Sequence, residues 1–152
     1  MKKISCLFYV IIVMLWGESL FAQTIKAHDV VGIWFNGEKD AKIEIYKQKD
    51  KYYGKIIWLK EPIDTETHKP KLDKRNPDPT KRNRPTLGLI IMSHFIWEDG
   101  QWVEGTIYDP KEGKAYNCKI RMEKLDKLMV RGYIGKSWMG LGRTTEWTRT
   151  QQ

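Results

Sequence analysis

"AKIEIYK", residues 41–47, decides the fold. Ala41, Ile43 and Ile45 fall on one face, with Lys42 and Glu44 on the other and Lys47 at the end, which is the alternation of a strand and not of a helix. Similar runs recur at "KYYGKIIWLK" from Lys51, "LGLIIMSHFIW" from Leu87, "QWVEGTIYD" from Gln101, "KAYNCKIRM" from Lys114, "KLMVRGYIG" from Lys127 and "RTTEWTR" from Arg143. "VVGIWF" at 30–35 brings the count to eight. Turn signals separate them: "NGEKD" at 36–40, "QKD" at 48–50, "EDG" at 98–100, "DPKEG" at 109–113 and "LD" at 125–126. Tight connections make neighbouring strands antiparallel. The pattern therefore predicts an all-β chain, an eight-stranded antiparallel up-and-down barrel whose interior is packed or holds one small ligand. Residues 87–97 are ambiguous, because "GLIIMSHF" also reads as a short buried helix.

Ahead of these runs, Lys2 and Lys3 precede the apolar stretch "CLFYVIIVMLW" (6–16) and then "GESLFA", which ends on Ala22. This is the pattern of a secretory signal peptide over residues 1–22, cut after Ala22. The stretch is shorter than the ~20 apolar residues of a membrane-spanning helix, and Glu18 interrupts its extension. The expected product is an exported protein, periplasmic or at the cell surface, with residues 23–152 as one barrel domain. Removing Lys2, Lys3 and Glu18 from 27 basic and 19 acidic residues leaves 25 against 18, a net charge of +7. Cys118 then has no cysteine partner, so the domain relies on its core. Cys118 alternates in phase with Tyr116, Ile120 and Met122, which predicts a buried, inert thiol.

One region has no strand period: "PIDTETHKPKLDKRNPDPTKRNRP", Pro62 to Pro85, which holds five of the six prolines. Residues 69–84 carry seven basic side chains against Asp73 and Asp78, and that excess of five supplies most of the mature charge. So long a connection is uncommon without a purpose. Its prolines and Asx turns predict an ordered loop, and Arg75, Arg82 and Arg84 are the candidates to grip a carboxylate or phosphate; the alternative is a solvated lid. In "LMVRGYIG", Arg131 and Tyr133 share one face with Met129, and Leu128, Val130, Gly132 and Ile134 share the other. If the first face points inward, Arg131 and Tyr133 become ligand-binding candidates; if the second does, Arg131 meets solvent. Gly54, Gly105 and Gly132 argue for a cavity, and Trp58, Trp102 and Trp147 argue for a filled interior.

Other chemistry finds little support. His28, His68 and His94 lack metal-ligand spacing, and the prolines among Asp73, Asn76 and Asp78 do not suit a calcium loop, so no metal or cofactor is expected. Nucleic acid is a poor partner for an exported chain whose basic residues lie in one loop without interleaved aromatics.

Gly32 and Trp34 on the first strand, with Arg149 on the last, resemble the closure of lipocalin-like barrels, in which an arginine packs over the indole. A wider resemblance rests on "YYGKIIWLKEP", "KPKLDKRNPDPTKRNRP", "GLIIMSHF", "WVEGTIYDPKEGKAYNCKI" and "LMVRGYIGKSWMGLGRTTEWTR". In that order they are similar to the bacterial exported family known as domain of unknown function 2147. The departures are Thr67-His68 in place of threonine-glycine and Lys81 in place of leucine. The resemblance implies a lipocalin-like barrel in the cell envelope and no established reaction. The expectation is a noncatalytic binding module for a small amphipathic or anionic envelope molecule, with peripheral contact to the membrane surface allowed. The alternatives are a packed barrel that serves as a structural or protein-interaction module for an envelope protein, and an envelope enzyme.

Overall fold

The computed structural model describes residues 24–150, and the predicted signal segment lies outside them. Eight strands follow in order: β1 (Gly32–Phe35), β2 (Ala41–Gln48), β3 (Lys51–Leu59), β4 (Ile90–Glu98), β5 (Gln101–Asp109), β6 (Lys114–Lys124), β7 (Lys127–Tyr133) and β8 (Gly142–Arg149). Each pairs antiparallel with the next, and β1 pairs with β8 to close the barrel. The ambiguous run from Leu87 becomes strand from Ile90 onward. Bulges at His94 (φ 67°) and Glu104 (φ 58°) reset the facing, so Met92 and Phe95, and likewise Trp102 and Gly105, all lie in the interior. All eight strands and the buried core of the described residues fall between Ile25 and Arg149.

Up-and-down connectivity sorts the connections to two ends. One end carries the hairpins at 49–50, 99–100 and 125–126 and a 3-10 turn, Ala27–Val30. The other end, the mouth, carries residues 36–40, 60–89, 110–113 and 134–141. The first end is closed by side chains. The Arg149 guanidinium lies 4.1 Å over the Trp34 ring, and the Trp34 indole N–H donates to the Val30 carbonyl at 2.9 Å. Arg149 also donates to the carbonyls of Leu125 (2.7 Å), Val31 (3.0 Å) and Asp29. Gly32, at φ 142°, is required at this point because a Cβ there would overlap Arg149 Nη1. The Trp102 indole donates to Ala27 at 3.1 Å and fastens the same turn from the opposite wall.

The interior resolves the question raised by the glycines and tryptophans. Trp34, Trp102 and Trp147 point inward and are buried, whereas Trp58 lies on the outside against Phe35. A Cβ at Gly54 would press on Met92 and Ile43, and one at Gly105 would overlap the Phe95 ring, so both glycines are already filled by their neighbours. Cys118 is buried in this core, and desolvation pushes its thiol up to about 12, which matches an inert thiol.

The 60–89 connection is an ordered strap. It folds back on itself through the bridges Ile63↔Pro70 and Leu72↔Pro85. Its hub is the fully buried Asp73 carboxylate, which accepts from Tyr108 Oη at 2.6 Å, Asn76 Nδ2 at 2.7 Å and Arg84 Nη2 at 3.1 Å. Burial and the adjacent Asp73 push the Tyr108 hydroxyl up to about 12, so it remains the donor. Outer ion pairs join Asp64 to Lys74 and Asp78 to Lys81. The Lys74 ammonium and nearby backbone amides hold Asp64 well below the usual carboxylate range, and Thr80 and Lys81 hold Asp78 down to about 2. Gly113 (φ 70°) lets the β5–β6 hairpin touch the strap, since a Cβ there would overlap the Arg75 carbonyl.

Trp34→Ala is expected to lower unfolding free energy by about 3–5 kcal/mol in a urea titration, since it removes a large buried side chain and the lid of Arg149. A loss under ~1 kcal/mol would contradict the closure described above. Asp73→Ala strands the Tyr108, Asn76 and Arg84 donors, at a cost of ~1–3 kcal/mol. It should also speed tryptic cleavage between Lys69 and Arg84 while the barrel stays folded, and cleavage at the wild-type rate would show that Asp73 does not hold the strap.

Candidate functional site

The three arginines expected to grip an anion are engaged in building the strap. Arg75 Nη1 donates to the Lys111 carbonyl (2.7 Å), Arg82 Nε to the Asn76 carbonyl (2.8 Å) and Arg84 Nη2 to Asp73. They do not converge with Arg131. That residue lies on the outside of β7, where Nη1 donates to Thr144 Oγ1 at 3.3 Å. Tyr133 is also outside, in a groove of about 280 Å³ with Glu98, Glu104, Lys119 and Ser137. The inward positions of β7 are Leu128, Val130 and Gly132, paired across to Met122, Ile120 and Cys118. Arg131 and Tyr133 therefore do not line the interior, because the apolar face of β7 turns inward and a guanidinium in that core would lack a partner. Ile134 is not part of that inward face either: β7 ends at Tyr133, and Ile134 stands exposed on the connection beyond.

What remains for a site is the mouth. Interior bulk falls off toward it, from the tryptophans of the closed end to Ile107, Tyr116, Gly132 and Thr145. A Cβ added at Gly132 would meet only ordinary contacts, Tyr116 Cβ at 3.7 Å and Ile107 Cγ2 at 3.8 Å, so there is space here that is absent at Gly54 and Gly105. Directly opposite Gly132 on β8 is Arg143, in the register that places Thr145 and Trp147 on the inner face further down. Arg143 is exposed at the rim and has no carboxylate partner among the described residues.

A charged bar crosses this mouth. In an eight-stranded barrel the β1–β2 and β5–β6 hairpins stand on opposite walls, yet Lys111 of the second pairs with both Glu38 and Asp40 of the first. Desolvation opposes the Lys111 charge, but the hydrogen bonds it donates to Asp40 and Glu38 hold its affinity for the proton above normal. Asp40 is held below normal despite its own partial burial, chiefly by Lys111 and Asn36. The strap leans on the β5–β6 hairpin, and the open half of the mouth lies between β5 and β8, where Tyr116 donates to Glu112 at 2.9 Å.

Sequence reasoning missed Asp73, Tyr108, Lys111 and Arg143. Asp73 and Lys111 lie in connections without period, so nothing in the chain announced their partners. Arg143 was within reach: the alternation of "RTTEWTR" puts it in phase with Trp147 and Arg149. Among the described residues no group of three His, Cys, Asp or Glu side chains is placed to hold a metal ion.

Comparison with known proteins places this geometry. A structure entitled "Protein HP1028 from the human pathogen Helicobacter pylori belongs to the lipocalin family" is similar over 80% of this chain and 82% of that one, at 26% identity and a TM-score of 0.67. No curated protein sequence matches. The family model described as "Uncharacterized protein conserved in bacteria (DUF2147)" matches residues 32–149, from the Gly32 that admits Arg149 to Arg149 itself. The chain belongs to that bacterial family, DUF2147, and has the lipocalin-like barrel.

Proposed function

We propose that this chain is an exported, noncatalytic binding module of the cell envelope that takes a small amphipathic molecule with an anionic head at the mouth of its barrel. The observation that carries the reading is the room for a further side chain at Gly132, where an added Cβ would make only ordinary contacts with Tyr116 and Ile107, opposite Arg143, which has no carboxylate partner among the described residues. The apolar part of the ligand would lie against Ile107 and Tyr116, and its head would meet the Arg143 guanidinium, whose planar donors suit a carboxylate or phosphate. The likeness to a lipocalin supports binding over catalysis, and the signal-like N-terminus supports export. The ligand would enter only part way, since the tryptophan-filled half of the barrel has no room beneath it. That filled half favours a second reading, an interaction module that holds an envelope protein and no small ligand.

Titration calorimetry of residues 23–152 with decyl phosphate tests the first reading. Gly132→Leu should abolish binding by filling the mouth. Arg143→Gln should weaken it roughly tenfold to a hundredfold, as expected for loss of one charge-assisted hydrogen bond. Wild-type affinity in both variants, or no binding by the wild type, would reject the mouth site and leave the interaction module.

A further inference from the structure

The β7–β8 connection, "IGKSWMGL" at 134–141, presents four large apolar side chains to solvent: Ile134 is 64% exposed, Trp138 77%, Met139 50% and Leu141 61%. Single exposed apolar residues are ordinary, but four within eight consecutive positions form a patch that calls for a partner. The presentation is built into the backbone. The Ile134 amide donates to Leu141 at the base of the loop (3.0 Å), and the Met139 amide donates to Lys136 (3.0 Å). Left-handed Gly135 and Gly140 bracket the 3-10 turn Ser137–Met139, and Asn117 Nδ2 donates to the Gly135 carbonyl at 3.1 Å. The chain thus holds Trp138 and Met139 outward instead of folding them onto the rim.

Charge decides the partner. The mouth-side connections carry eleven basic and eight acidic residues, whereas the closed-end connections and residues 24–31 carry two basic and four acidic. Lys136 sits within the apolar loop, and Arg131 and Arg143 stand at its feet. A narrow apolar tip ringed by cations, at the positive end of a polarised molecule, matches an anionic lipid surface: the tip enters the interfacial region, where tryptophan is favoured, and the cations meet the headgroups. The tip is one short loop, well below the roughly 800 Å² per partner of a standard protein interface, which disfavours a folded protein as occupant. The barrel wall itself does not span a bilayer, because its outer face carries Lys42, Glu44, Lys55, Lys119, Arg121 and Glu146 where lipid would require an apolar band.

We propose that the 134–141 loop is a membrane-docking wedge that inserts Trp138 and Met139 into an anionic lipid surface and turns the mouth of the barrel toward it. The wedge shares Arg143 with the proposed mouth site, but Trp138, Met139 and Lys136 are not part of that site, so the two are tested separately.

Cosedimentation of residues 23–152 with phosphatidylethanolamine–phosphatidylglycerol vesicles, and separately with phosphatidylcholine vesicles, tests it. The wild type should bind the first and bind the second roughly tenfold more weakly or worse, because interfacial helices and loops of this kind add apolar burial to attraction by anionic lipid. Trp138→Ser with Met139→Ser should remove the binding, and Lys136→Glu should reduce it. Leu125→Ser, at the closed end, should change nothing. Far-ultraviolet circular dichroism of each variant checks the fold, and decyl phosphate titration of the double variant separates loss of docking from loss of the mouth site. Undiminished sedimentation of the double variant, equal binding to both vesicles, or no binding by the wild type would overturn the proposal. A dimer of the wild type that the double variant dissolves, without vesicle binding, would reassign the patch to self-association.

Discussion

Everything in this barrel depends on the seam between β1 and β8, and that seam is made more by one arginine than by the sheet. The two strands meet over only two registered pairs, Trp34↔Arg149 and Phe35↔Thr148, while β2 with β3 and β7 with β8 pair along most of their length. Closure therefore rests on Arg149, which packs on Trp34 and donates to carbonyls from three places: the N-terminal turn at Asp29, the entry to β1 at Val31 and the β6–β7 hairpin at Leu125. Those carbonyls lie at an end of the barrel where the ladder offers no amide. Desolvation lowers the affinity of Arg149 for its proton, but a guanidinium stays charged at any physiological pH, and its donors offset the cost. The separation of 115 positions between the stacked residues makes this a non-local contact, which raises contact order and is expected to slow folding.

From that seam follows the gradient that shapes function. The closed end needs Trp34 beneath Arg149, Trp102 reaches to the same turn, and Trp147 lies beside Leu128. Such bulk at one end leaves no through-cavity, and any ligand must be shallow. At the mouth, Lys111 ties two opposite walls through Glu38 and Asp40, and the strap buttresses the β5–β6 hairpin through Arg75 and Gly113. One half of the rim is thereby rigid. The other half, bounded by Gly132, Arg143 and the 134–141 loop, presents exposed apolar side chains at Ile134, Trp138, Met139 and Leu141.

The strands were legible in the sequence because a half-buried sheet leaves a period of two, and the closing trio of Gly32, Trp34 and Arg149 was legible through its resemblance to the closure of lipocalin-like barrels. The facing of individual residues was harder to read. Bulges at His94 and Glu104, neither a glycine, put Met92 and Phe95 three positions apart on the same inner face. That spacing is what a helix would show, so "GLIIMSHF" read both ways. In the basic loop, composition reports charge, and it cannot report that Asp73 and the carbonyls of Asn76 and Lys111 each take a donor from one of the three arginines. The mouth was half legible, since Gly132 and Arg143 are in phase within their strands but come together only through the β7–β8 register.

A barrel filled from its closed end can take a ligand only at its mouth. Methyl-labelled nuclear magnetic resonance of residues 23–152 during titration with decyl phosphate reads this residue by residue. Shift changes are expected at the Ile107, Ile134 and Leu141 methyls, with Ile43, Ile120 and Leu128 unmoved. Changes concentrated at Ile43, Ile120 and Leu128 would mean that the ligand reaches the packed half, and would contradict it.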